Sequence, residues 1–407
     1  MKSLYTALFF ISFLFMIKPY DSAAQSKEIL GYLPHYRFNE ISNIDLNKLT
    51  QLDIAFANPT ADTGIIVPNE DFDDIIEIAH EAQLKVCISL AGGDVGDPAY
   101  QRWIDYTGAE ALPVFVHKIM NYCRAHQLDG VDFDLEWNLL EDVGTHYENF
   151  VVMMADSLWA EGKMITAAFP GTYRYNALTD ICLSTFDQIN LMAYDLTGPW
   201  NPNNPGPHSP YHFAEQSIDY WKYQDVPQEK LLLGVPFYGY DFGSSPVSSF
   251  TYAWIVDQDP NNAYLDQVDE KYYNGIPTIK DKTALAKEET NGIMIWEIGQ
   301  DHFSEYSLLN AIWEEMQTGL AEIHLSEEAK VMLYPNPVVS VLNIKNKSQE
   351  KANMYIYNFS GQLIKQVSIN SYDQIEINLG NLNPGMYMVQ LFFTETNTQE
   401  NIKLIKQ

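Results

Sequence analysis

Between residue 28 and about residue 318, short apolar segments alternate with longer amphipathic ones. The apolar segments are residues 28–33, 52–57, 85–90, 130–136, 164–169, 188–194, 231–237 and 292–297. They are too short for helices and rich in the β-branched and aromatic residues that suit strands. Apolar residues recur at helical spacing over 71–83, 112–126, 146–160, 211–224 and 303–318. Eight strand segments followed by helical stretches predict an α/β fold, a (β/α)8 TIM barrel. A doubly wound open sheet is the alternative for the same order of elements.

One connection is long. Residues 239–291 hold a single clear helix, 280–289, and are otherwise rich in Tyr, Asp, Asn and Pro. A small lobe over one face of the barrel is expected there. Near residue 320 the composition changes. Residues 321–330 read as a linker between a barrel domain at 25–320 and a β-rich domain at 331–407. Its strand segments, 338–344, 353–358, 363–368, 374–379, 386–393 and 402–405, are punctuated by Ser360-Gly361 and Pro384-Gly385. This spacing predicts a small all-β sandwich following the barrel.

Residues 1–24 read as an export leader: Lys2, an apolar run from Leu4 to Ile17, then Ser22-Ala23-Ala24. The run is too short to span a bilayer well, and no transmembrane segment is expected in the mature chain. Cys87, Cys123 and Cys182 fit no zinc or disulfide spacing. Residues 25–330 carry 16 Lys and Arg against 48 Asp and Glu, a balance of −32, so the acidity belongs to the barrel. Such a surface repels phosphate backbones, which argues against a nucleic-acid partner. Its plain consequence is solubility, and a monomer is expected.

Within segment 130–136, alternate side chains share a face. Asp132, Asp134 and Glu136 project together, while Val131, Phe133 and Leu135 project the opposite way. Barrel strands bury both faces, so a row of acids inside one is costly and needs a functional reason. The row ends its strand, at the barrel rim where active sites lie. Like charges this close share protons, which raises the acid nearest a substrate and fits it for general acid work. A metal site is the weaker reading: no His accompanies the row, and acids on one strand cannot surround an ion. No metal or other cofactor is expected.

The stretch Asp129-Gly130-Val131-Asp132-Phe133-Asp134-Leu135-Glu136 resembles the D-G-x-D-x-D-x-E signature of glycoside hydrolase family 18, the chitinases and related endo-N-acetylglucosaminidases. Gly31-Tyr32, Ala55-Phe56-Ala57-Asn58, Met192-Ala193-Tyr194-Asp195 with Gly198 and Trp200, Pro236-Phe237-Tyr238-Gly239 and Gly292 to Glu297 resemble that family's other strands. The resemblance implies a substrate-assisted retaining mechanism, an exception to the two-carboxylate scheme. It implies Glu136 as acid and base, Asp134 as orienter of the acetamido N–H, Asp132 as its proton partner, and Tyr194 as a hydrogen-bond donor to the acetamido group. Asp195 and Met192 would line the −1 subsite, with Trp296 as its floor. Phe56, Tyr32, Gly92, Gly93, Trp200 and Tyr238 complete the expected substrate-binding set.

Three departures stand out. The family's third strand carries S-x-G-G, whereas Ser89 here lies one position early before Gly92-Gly93. After Pro236-Phe237-Tyr238-Gly239 the family often has arginine, whereas this chain has Tyr240. The 239–291 insertion is also shorter than the family's full cleft-deepening domain, which points to an open groove and endo-type cleavage.

Tyr334-Pro335-Asn336-Pro337, Leu342, Ile344, Tyr357-Asn358, Gly361, Leu382, Pro384-Gly385-Met386-Tyr387 and Lys403-Leu404-Ile405-Lys406 resemble the C-terminal sorting domain of type IX secretion. That implies the secretion machinery as a partner and a secreted or surface-attached enzyme. The expected substrate is a polymer of β-1,4-linked N-acetylglucosamine (GlcNAc), chitin or its oligosaccharides. An endo-β-N-acetylglucosaminidase acting on N-glycans or other GlcNAc-containing glycans is the second reading. A non-catalytic lectin is disfavoured, because lectin-like members usually lack the terminal acid that Glu136 supplies.

Overall fold

The computed structural model describes residues 27–318, 330–334, 338–358, 363–383, 385–394, 396 and 399–406. The expected leader and all of the expected linker except Lys330 lie outside the described residues. The chain divides after Thr318 into two compact units.

In the first unit, eight parallel strands close on themselves: β1 (Glu28–Pro34), β2 (Gln51–Pro59), β3 (Lys85–Gly92), β4 (Gly130–Leu135), β5 (Met164–Pro170), β6 (Gln188–Met192), β7 (Leu231–Pro236) and β8 (Gly292–Trp296). β1 pairs with both β2 and β8, which closes the ring and excludes the open doubly wound sheet. The register sets Ser89 beside Asp132 and Asp132 beside Thr166, so polar side chains from three neighbouring strands meet at one height.

The outward residues of β4 behave as the alternation predicts. Val131, Phe133 and Leu135 are fully buried. Phe133 packs against Phe150 of the helix His146–Trp159, with ring centroids 4.8 Å apart. The remaining outer helices include Phe72–Glu81, Leu112–Ala125, Tyr211–Tyr223, Ile276–Glu289 and Leu308–Gln317.

Three local readings change. β4 ends at Leu135. Glu136 stays extended (φ −117°, ψ 160°) but immediately precedes a short helix, Trp137–Val143, that the sequence pattern did not reveal. The last helix begins at Leu308 rather than 303. There the buried Asp301 carboxylate accepts the N–H groups of Leu308 and Leu309, and the Ser307 hydroxyl caps the helix through the N–H of Asn310. The 239–291 connection contains more than one helix. Tyr238–Asp241, Ser248–Thr251, Gln267–Val268 and Lys271–Tyr272 form an antiparallel sheet, joined by a helix at Tyr252–Gln258.

Cys87, Cys123 and Cys182 are free and buried. The second unit has one antiparallel sheet of Val331–Tyr334, Val341–Asn346 and Gln374–Asn378, and another of Ala352–Asn358, Leu363–Ile369, Gly385–Phe393 and Gln399–Lys406. Leu342, Ile344, Met354, Ile356, Val389 and Leu391 share its core. Val331–Tyr334 is a strand that the sequence pattern missed; its Pro-rich continuation hid it. Pro335 to Pro337, Gly361 and Pro384 of the sorting-domain pattern lie outside the described residues.

Candidate active site

Asp132 and Asp134 point into the barrel and are buried; Glu136 is half-buried at the mouth of a cleft of about 900 Å³. Tyr32, Phe56, Asp134, Glu136, Met192, Tyr194, Asp195 and Trp296 line the cleft together. These come from β1, β2, the end of β4, β6 and its following loop, and β8. Sequence-distant positions thus meet because each lies in the C-terminal half of its strand or in the residues just after it.

Asp132 is the best-satisfied acid. Its Oδ2 accepts from the Tyr32 hydroxyl at 2.9 Å and the Ser89 hydroxyl at 2.7 Å. Its Oδ1 accepts from Thr166 at 2.7 Å and from Asn190 Nδ2 at 3.4 Å. Ser89, one position off the family pattern, is therefore a direct partner of the acid row. Burial raises the Asp132 carboxyl, and these donors oppose that rise. Asp134 differs: its Oδ1 is buried without a hydrogen-bond partner. Burial lifts it well above the usual carboxylate range, and Glu136, Asp132 and Asp53 add to the lift. Its surroundings thus favour the neutral form of Asp134, with no donor to its buried Oδ1.

Glu136 is pushed up to about 7, by burial first and then by Asp195. Like charge within the row is thus not the main cause for this acid, contrary to the sequence expectation. Burial, which withholds solvent from the charged form, is the larger cause.

Trp296 stacks on Phe56, with ring centroids 5.5 Å apart and planes at 22°, and meets the edge of Tyr32 at 5.7 Å. Gly92 has φ +86°, and a Cβ there would lie 2.6 Å from the Phe56 ring. A Cβ on Gly93 would lie 2.9 Å from Glu136 Oε1. Gly92 is needed for the aromatic pair to approach the rim backbone, and a side chain at Gly93 would require the Glu136 carboxylate to shift. Tyr194 presents its hydroxyl near Met294 Sδ, 3.9 Å away.

Three expected binding residues lie outside the cleft wall: Gly92, which backs the Phe56 ring, Trp200 and Tyr238. Trp200 is exposed and packs edge-on against Tyr240, centroids 5.9 Å apart. Tyr238 sits behind Asp195 and donates its hydroxyl to Asp195 Oδ1. Tyr240, which stands where the family often has arginine, donates to the same oxygen at 3.0 Å.

Several residues were missed. Asp53 is fully buried and raised well above its ordinary range by burial and by Asp132. Gln51 donates to it at 2.8 Å. Thr166 and Asn190 hold Asp132, and Gln188 holds Asn190 at 3.0 Å. Their signal was present: polar residues at alternate positions of otherwise apolar strands mark an inward face. Asp129, the first acid of the motif, serves a different purpose. It accepts from the backbone N–H of Val86 at 2.8 Å and meets His80 Nε2 at 3.0 Å, away from the row.

Comparison with known proteins agrees with this geometry. The family model for glycosyl hydrolases family 18 matches residues 28–301, and that for the secretion system C-terminal sorting domain matches residues 332–407. The latter marks the chain for export to the cell surface or beyond it. A family 18 chitinase structure from the chitin utilization locus of Flavobacterium johnsoniae is 40% identical, with TM-score 0.70, covering 72% of this chain and 94% of that one. A chitinase structure from Bacteroides thetaiotaomicron is 25% identical, with TM-score 0.62, covering 72% and 97%. Among curated relatives, a chitinase-like effector of Moniliophthora roreri is 26% identical over 50% of this chain, and an endochitinase of Brugia malayi is 25% identical over 58%. The chain spans only 55% and 58% of the lengths of those two relatives. From Glu28 to Asp301, this chain belongs to glycosyl hydrolase family 18.

Proposed function

We propose that the barrel is a retaining glycosidase that cuts within chains of β-1,4-linked GlcNAc, chitin or its oligosaccharides. One observation carries this reading: a row of alternate acids ends in Glu136 at an aromatic-lined cleft, where its carboxyl is raised to about 7. A group of that strength can donate a proton near neutral pH. The 40% identical relative, described as a chitinase from a chitin utilization locus, supports the same substrate. Tyr36 and Trp137 stand exposed along the cleft, which suits a chain entering sideways.

The sugar stacks on Trp296. Glu136 protonates the glycosidic oxygen as that bond breaks, and the acetamido oxygen of the same sugar attacks the anomeric carbon. Asp134 accepts the acetamido N–H, which stabilises the oxazolinium ion. To accept, Asp134 must first release its own proton. Asp132 is the acceptor at hand, because the Tyr32 and Ser89 hydroxyls beside it can rotate. Tyr194 holds the acetamido group from the other side. Glu136, now a carboxylate, takes a proton from water as the water opens the oxazolinium ring, and the anomeric configuration is retained.

The test compares product release from colloidal chitin, a GlcNAc tetramer and an N-glycosylated protein. Cleavage of the first two is expected. Release from the glycoprotein alone would replace the substrate assignment.

A further inference from the structure

The Glu136 carboxyl makes no hydrogen bond among the described residues. Its direction is therefore set by its backbone and by packing. The peptide joining Glu136 to Trp137 is planar and includes the Cα of Glu136. Both polar groups of that peptide are held. The Glu136 carbonyl oxygen accepts the N–H of Leu139 at 3.2 Å. The Trp137 N–H donates to the Tyr175 hydroxyl oxygen at 3.0 Å.

Tyr175 belongs to the loop after β5 and is 2% exposed. It packs in the barrel's main core, in T-shaped contact with Tyr173, ring centroids 5.2 Å apart. Its loop is closed on itself: the Leu178 N–H donates to the Tyr175 carbonyl oxygen at 3.1 Å, and Arg174 Nε donates to the Leu178 carbonyl oxygen at 2.7 Å. The same loop also holds the short helix further along, where the Asn176 N–H donates to Glu141 Oε1 at 3.0 Å. Trp137 needs such a hold. Its φ is +49°, in the left-handed region that a bulky side chain rarely adopts. Burial raises the Tyr175 phenol, the N–H of Trp137 opposes the rise, and Glu136 and Asp134 add to it. The hydroxyl therefore keeps its hydrogen and accepts through a lone pair.

We propose that Tyr175 is a positioning residue for proton donation: its hydroxyl holds the Glu136–Trp137 peptide in the left-handed turn and so keeps the Glu136 carboxyl aimed at the glycosidic oxygen. This inference rests on Glu136 being the proton donor. Without the hydroxyl, Trp137 relaxes toward an ordinary backbone conformation, and the peptide plane turns with it. The carboxyl then swings off the scissile oxygen. Tyr194 and Trp296, carried by other strands, keep their places, so the sugar is still held.

The test is kcat/KM for wild type, Tyr175→Phe and Glu136→Gln on a GlcNAc tetramer and on the dinitrophenyl glycoside of a GlcNAc dimer. This ratio reads the steps through loss of the leaving group. The tetramer's leaving sugar needs a proton, whereas dinitrophenolate departs without one. Tyr175→Phe is expected to lower kcat/KM about tenfold on the tetramer and less than about twofold on the dinitrophenyl glycoside. A purely structural role would lower both alike. Equal losses on the two substrates, or no loss on the tetramer, in a folded Tyr175→Phe protein overturn the inference alone. Cleavage of the tetramer by Glu136→Gln as fast as by wild type overturns the reading beneath it, and the inference with it. Glycine at 137 takes the left-handed turn without cost. In the Trp137→Gly background, Tyr175→Phe should therefore lower kcat/KM on the tetramer by less than about twofold, a comparison that also serves if the single variant fails to fold. A loss of about tenfold there overturns the inference.

Discussion

The Ser89 hydroxyl donates to Asp132 Oδ2 at 2.7 Å, across paired strands whose register sets the two residues side by side. Removing a donor to a buried carboxylate costs about 1–3 kcal/mol. Ser89→Ala should therefore lower kcat about tenfold or more, with KM near that of the wild type. Ser89→Thr keeps the hydroxyl and should recover most of the loss. Steady-state kinetics of both variants checks this; equal kcat for Ala and wild type would remove Ser89 from the row.

Trp296 carries the sugar's apolar face in this reading, stacked on Phe56 at 5.5 Å. Stacking contacts of this kind contribute about 0.5–1.5 kcal/mol beyond the area they bury. Trp296→Ala should raise KM for a GlcNAc tetramer by about tenfold, and Trp296→Phe by less. Trp200→Ala should leave KM for the tetramer close to wild type, because that ring stands outside the cleft wall.

Glu136 rises in the folded chain from 4.5 to about 7. The folded state therefore holds this proton more tightly than the unfolded state. Stability from the neutral acid is full below about pH 4.5 and is lost as pH rises through about 7. Glutamine does not titrate. Glu136→Gln should match wild type near pH 4 and exceed it by about 2 kcal/mol at pH 8, in denaturant unfolding at each pH. A constant difference across that range would contradict the raised acid.

A thiazoline analogue of GlcNAc mimics the oxazolinium ion and should inhibit competitively. Asp134→Asn should weaken that inhibition about a hundredfold and lower kcat as strongly, since the charged partner of the ring N–H is lost. Robust hydrolysis insensitive to the thiazoline would point to a nucleophile supplied by the enzyme.

The barrel was legible because strand and helix periods differ and repeat in strict alternation. The acid row was legible because Asp132, Asp134 and Glu136 sit at alternate positions among apolar neighbours. The Asp132 donors were harder to read: Tyr32, Ser89, Thr166 and Asn190 come from four strands, and only the barrel register brings them together. The helix Trp137–Val143 went unread because it follows the row without a break or a capping residue. Tyr175 gave no local signal. It lies 38 residues beyond Trp137 in a loop, and its partnership exists only through the fold.

Proton donation by Glu136 to an N-acetylated sugar, with retention, is read out by ¹H NMR of the products formed from a GlcNAc oligosaccharide by wild type and Glu136→Gln. The wild type should release the β-anomer first, and the folded variant should release product at least about a thousandfold more slowly. Initial release of the α-anomer, or comparable turnover by Glu136→Gln, would contradict it.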